Sequence, residues 1–141
     1  MTNGLESFRV TLVTSWDTDE IVNLYKTGGW WKETYNPKEI PRLIKGSFAF
    51  AVAVENRTGH AIVMGRVLSD GVSDAYIQDL VILPLYRGRG IATQMVSVLL
   101  ERCKQAGLSW IALVAEPDSE VFYTRFGFER MPGYIPMIYK G

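Results

Sequence analysis

The chain has 141 residues, enough for one domain that buries roughly two thirds of its unfolded surface without disulfides or a structural metal. With 48% hydrophobic and 21% charged residues its composition is that of a globular protein, which excludes disorder and fibrous repeats. Fifteen basic residues balance fifteen acidic ones, so no global field draws it to nucleic acid or to an anionic membrane, and any anion site has to be local.

In chain order, Phe8 to Val13 alternates as a first strand. Asp17-Thr18-Asp19-Glu20 has the spacing of a capping box and starts a helix through Ile21, Leu24 and Tyr25 that Gly28-Gly29 stops. Asn36-Pro37-Lys38-Glu39 opens a second helix, which Pro41 threatens to cut short. Phe48 to Glu55 and Ala61 to Leu68 flank the turn Asn56-Arg57-Thr58-Gly59 as an antiparallel hairpin, and Ser69-Asp70-Gly71 turns the chain into a further strand from Ala75 to Leu83. Ile91 to Ala106 repeats apolar residues at helical spacing up to Gly107, and Trp110 to Ala115 is a continuous apolar strand, so the two strands around that helix form a parallel crossover. A short helix near Ser119 to Phe126 ends at Gly127, and Tyr134 to Tyr139 reads as a last apolar strand, an edge suited to a homodimer. The expected fold is one α/β domain over residues 1–141: a mostly antiparallel mixed sheet with one parallel crossover and about four flanking helices.

No apolar run is long enough to span a bilayer and the start has no secretion pattern, so the expected location is cytoplasmic, with no membrane partner. Cys103 is the only cysteine and lies on the apolar face of its helix, where packing is its expected role; with His60 as the only histidine, no metal is expected.

The strand Asp79-Leu80-Val81-Ile82-Leu83 breaks at Pro84 and empties into Arg87-Gly88-Arg89-Gly90-Ile91-Ala92 at the mouth of a helix. Two glycines let the backbone turn its N–H groups outward, the helix adds the positive end of its dipole, and two arginines add charge. The same glycines would also serve a plain tight turn. A Walker loop is absent, and Thr93 stands where a dinucleotide fingerprint wants its third small residue.

Arg87, Gly90 and Ala92 fill the pattern [QR]xxGx[GA], which resembles the acyl-CoA signature of the GNAT superfamily of N-acetyltransferases. Downstream, Phe122-Tyr123-Thr124-Arg125-Phe126-Gly127-Phe128 is similar to the family's FYxxxGF block. The resemblance implies a GNAT-like acyl-CoA N-acyltransferase fold, acetyl-CoA as co-substrate, and direct transfer to a primary amine on a small molecule or peptide. It implies that backbone N–H groups from Arg87, Gly88, Arg89, Gly90, Ile91, Ala92 and Thr93 hold the pyrophosphate. Leu80, Val81 and Ile82 would then offer backbone groups to the pantetheine arm and the thioester carbonyl, with the strand splayed from its neighbour. Tyr123 matches the tyrosine that protonates the departing thiolate, a proton transfer a phenol can supply.

For the base, Asp79 shares an apparent strand face with Ile77 and Val81, and a carboxylate among apolar neighbours holds a proton more readily than one in water. Glu116, or a water, is the rival. Trp30, Trp31 and Tyr35 follow Gly28-Gly29 and form a dense aromatic group suited to lining the acceptor site. Arg66 and Asp70, near the hairpin end, are candidates to bind a substrate carboxylate or amine, with surface charge the favoured reading of each. A non-catalytic acyl-CoA sensor or partner module is the alternative reading of the same cradle.

Overall fold

A computed structural model describes residues 7–141. Five strands form one sheet in the order β1 (Phe8–Leu12), β2 (Ala49–Glu55), β3 (Ala61–Ser69), β4 (Asp74–Ile82) and β5 (Trp110–Leu113). Only the β4–β5 pair is parallel, as the long crossover through helix α3 (Ile91–Gln105) requires. Helices α1 (Thr18–Thr27) and α2 (Ile40–Gly46) lie before β2, and α4 (Glu120–Thr124) follows β5. No described helix is long and apolar enough to cross a membrane.

β2 is buried on both faces, and its alternation divides the labour. Ala49, Ala51 and Ala53 face α3, where their small side chains let Met95, Leu99 and Cys103 come close to the sheet. Phe50, Val52 and Val54 face the other way, against Ile21 and Leu24 of α1 and Ile40 and Ile44 of α2. Cys103 is fully buried, in keeping with a packing role.

Pro41 does not break α2. It occupies the first turn, where the missing N–H has no acceptor within the helix in any case, while Asn36 caps a short 3₁₀ turn (Pro37–Glu39) ahead of it. The capping box at α1 is half formed. Asp17 accepts from the Glu20 N–H, but the Glu20 carboxylate turns away to take the Ala61 N–H of β3 at 2.6 Å, the Trp16 indole N–H and a contact to His60. Glu20 thus ties the first turn of α1 to the start of β3.

The expected strand over Tyr134 to Tyr139 does not form. The segment leaves a turn at Met131–Tyr134 and pairs with no described strand, so its apolar side chains stand in solvent: Met137 is 92% and Tyr139 90% exposed.

Candidate acyl-transfer site

β4 does not keep one face throughout. Asp79 adopts a left-handed backbone (φ 59), and the β3–β4 register shifts between Met64 and Arg66, so Asp79 and Leu80 together oppose Gly65. Ala75 and Ile77 point to the α3 side, but Val81 points to the α1 side and Leu80 and Ile82 return to α3. This corrects the assignment of Asp79 to a common face with Ile77 and Val81: those two residues belong to different cores. Gly65 makes the arrangement fit, since a Cβ there would sit 3.1 Å from Leu99 and 3.3 Å from Leu80.

The bulge places Asp79 among polar partners. Its Oδ2 accepts from the Tyr25 hydroxyl at 2.7 Å and from Arg66 Nε at 2.7 Å, with the Asp79 side chain 21% and the Arg66 side chain 17% exposed. Arg66 is therefore an inward ion-pair partner and not a surface charge. Burial, then the Asp79 carboxylate, pushes the Tyr25 phenol well above its ordinary value, so it stays a donor. Asp70, by contrast, is exposed and caps the N–H groups of Val72 and Ser73.

Past Ile77 and Leu113 the parallel pairing of β4 and β5 stops, although β4 continues to Ile82. Leu83 donates to Ile62 of β3, so by alternation the Ile82 N–H faces away from β3, toward this gap. A cleft of about 320 Å³ opens here, lined by Trp30, Tyr76, Gln78, Asp79, Glu116 and Tyr123 together with apolar residues of both strands. Tyr123, on α4, packs edge-on against Phe122 and Phe128 and its hydroxyl bonds to no other described residue. Burial, then the neighbouring Glu116 carboxylate, raises the phenol above its ordinary value and keeps it protonated. No other described residue bonds to the Glu116 carboxylate either.

At the end of β4 the chain makes a 3₁₀ turn (Pro84–Tyr86) and enters the glycine loop. Gly88 and Gly90 both adopt φ 78, a left-handed conformation that a side chain would strain. Their turn leaves the N–H groups from Gly88 to Thr93 without an acceptor among the described residues, at the N-terminus of α3. Tyr86 anchors the loop through a 2.9 Å bond to Glu55 and carries the Arg89 guanidinium over its ring. Arg87 and Arg89 are exposed and form no ion pair with described residues. The donor set, outward N–H groups with unpaired guanidinium charge, suits a pyrophosphate.

The aromatic group after Gly29 is split. Trp30 enters the cleft, its indole laid over Gly28, where a Cβ would come within 2.7 Å of the ring. Trp31 and Tyr35 pair edge-to-face at 5.5 Å and line a separate hollow with Ile40 and Leu43. Sequence reasoning missed Tyr25, Tyr76 and Gln78 as site residues, and it named Arg66 without its partner Asp79. For Tyr76 and Gln78 a signal existed, since strand alternation puts them opposite Ala75 and Ile77, on the side of α1.

A glycine loop thus joins a strand that parts from its parallel neighbour to a helix N-terminus, and Tyr123 lines the cleft between the two strands. The chain belongs to the acetyltransferase (GNAT) family, whose model matches residues 13–128. It is 30% identical over 115 residues to an uncharacterized N-acetyltransferase, ycf52, of Pyropia yezoensis; the match covers 80% of this chain, which spans 65% of that relative's length. Its fold is similar to that of SA2161, a protein of unknown function from meticillin-resistant Staphylococcus aureus, with TM-score 0.81 at 19% identity over 95% of this chain and 99% of the other. It is also similar to a predicted acetyltransferase of Clostridium acetobutylicum solved with acetyl-CoA, with TM-score 0.71 at 20% identity over 93% and 96% of the two chains.

Proposed function

We propose that the chain is an acetyl-CoA-dependent N-acetyltransferase that moves the acetyl group directly to a primary amine, with no covalent enzyme intermediate. One arrangement supports the reading: along β4 lies an open β4–β5 gap that the Tyr123 phenol lines, and the same strand runs on into a loop of unsatisfied N–H groups. The co-substrate supplies an activated thioester. The N–H groups from Gly88 to Thr93 bind the pyrophosphate, aided by Arg87 and Arg89, and the backbone of Leu80, Val81 and Ile82 aligns the arm along the gap. The Ile82 N–H is placed to stabilise negative charge on the carbonyl oxygen as it develops.

Glu116, directly or through a water, takes the proton that the amine must lose before attack. Asp79, held by Arg66 and Tyr25, fixes the bulge and so the aim of Ile82. As the new C–N bond forms and the C–S bond breaks, nitrogen loses its second proton to solvent, and Tyr123 gives its proton to the departing sulfur and is reprotonated from solvent. The products are the amide and the free thiol, with one proton released from the ammonium form of the amine.

Tyr123→Phe tests this. Turnover is expected to fall by about 10²–10⁴ with acetyl-CoA affinity nearly intact; unchanged turnover in a chemistry-limited assay removes Tyr123 from the reaction. We further propose a homodimer in which the exposed apolar segment 134–139 is covered by a second copy. Light scattering at micromolar concentration tests it, and a monomer there refutes it.

A further inference from the structure

We infer that the acceptor is a small cationic amine with an apolar or aromatic body and no carboxylate or phosphate of its own. The inference rests on the transferase reading above and adds the substrate class. Two aromatic side chains, Trp30 and Tyr76, line the cleft from the α1 side, and Glu116 and Tyr123, from the chain after β5, line the same cleft. Trp30 is held there by its edge contact to Tyr25 and by the space that Gly28 leaves. Such a wall offers ring faces to a cation and apolar area to a neutral body.

The charges point the same way. The lining contains two carboxylates and no lysine, arginine or histidine. Asp79 is neutralised by Arg66, whose Nε lies on Asp79 at 2.7 Å and whose Nη1 reaches toward Ser47 at 3.5 Å, so the charge of this guanidinium is already matched and it does not line the cleft. Glu116 is left as an unpaired negative charge at the rim. A primary amine, with a pKa near about 10, arrives as an ammonium ion and is drawn to it. An acceptor carrying its own carboxylate or phosphate would set like charge against Glu116 with no cation to offset it. The cleft of about 320 Å³ must also admit the acyl end of the co-substrate, so the part of the acceptor that enters it is small.

The test uses the full chain with acetyl-CoA and follows thiol release with phenethylamine against phenylalanine and with tyramine against tyramine O-phosphate. The uncharged-body amine of each pair is expected to have a kcat/KM at least about tenfold higher, the equivalent of about 1.4 kcal/mol. Because Glu116 also takes the amine's proton, its variant is read by binding: with coenzyme A bound, the ratio of calorimetric affinities for the two members of each pair is expected to shrink or invert in Glu116→Lys, at an exposed position after β5, with the affinity for coenzyme A itself unchanged. Preference for the anionic member of a pair, release only with peptide amines, or ratios that Glu116→Lys does not move would each overturn the inference and leave the transferase reading standing. Binding of acetyl-CoA with no thiol release from any amine would overturn both.

Discussion

Asp79→Asn removes the charge from the bulge without disturbing its backbone, because asparagine tolerates the left-handed conformation that Asp79 adopts at φ 59. What it does disturb is the pair with Arg66 and the bond from Tyr25, each 2.7 Å. Breaking a fully buried pair costs about 3–5 kcal/mol, and an exposed one is worth only about 0.2–1 kcal/mol. With the two side chains 17% and 21% exposed, the site lies nearer the buried limit; discounted for solvent screening, the expected loss is about 2 kcal/mol. Arg66→Met should cost a similar amount, and the double variant should cost at least about 1 kcal/mol less than the sum, since both remove one interaction. Urea unfolding followed by tryptophan fluorescence measures all three, with acetyl transfer assayed on the same samples. A coupling energy under about 0.5 kcal/mol would refute the structural role assigned to the pair. So would an Asp79→Asn protein of wild-type stability whose turnover alone collapses, which is the behaviour of a general base.

Three further outcomes are expected. Gly88→Ala places a Cβ in open space at φ 78, so it should cost only about 1–2 kcal/mol of backbone strain while weakening acetyl-CoA binding in calorimetry; unchanged affinity would mean the loop N–H groups do not hold the co-substrate. Gly28→Ala must push the Trp30 ring from its seat, and is expected to raise KM for an aromatic amine with acetyl-CoA affinity intact; an unaltered KM would detach Trp30 from acceptor binding. Glu20 links stability to pH. Burial pushes its carboxyl up, but the bonds from Ala61, Trp16 and His60 outweigh that and set it below its ordinary value. A depressed carboxyl stabilises the fold above its unfolded value and loses that contribution as pH falls through the folded one. Melting temperature should therefore drop from about pH 5 downward, less steeply in Glu20→Gln; equal slopes in both proteins would contradict the assignment.

The parts of this molecule visible in the sequence are those written in contiguous residues. The glycine loop and the tyrosine block each occupy a short stretch, and the helical repeat from Ile91 to Cys103 packs on the side it implies. The β2–β3 hairpin was equally legible, because turn residues 56–59 stand between two apolar runs. Asp79 was misplaced because a single left-handed residue shifts a period of two without changing composition. Its partners were invisible for a different reason: Arg66 and Tyr25 lie 13 and 54 positions away, and it takes the β3–β4 pairing to bring in the first and the packing of α1 on β4 to bring in the second. At Tyr134 to Tyr139 apolar composition promised a strand, yet a strand exists only where another accepts its hydrogen bonds, which composition cannot report.

The extra residue in β4 makes this strand a member of two layers at once, gripped through Ala75 and Ile77 by one core and through Val81 by the other. A flat strand could slide a notch and carry its neighbours with it; this one is keyed, like a lock bolt, into both sides. An acyl arm wedged into the β4–β5 gap would press on the same bolt that Tyr25 and Arg66 secure. Changes confined to α1, none of them touching a ligand, would then retune how tightly the donor is held.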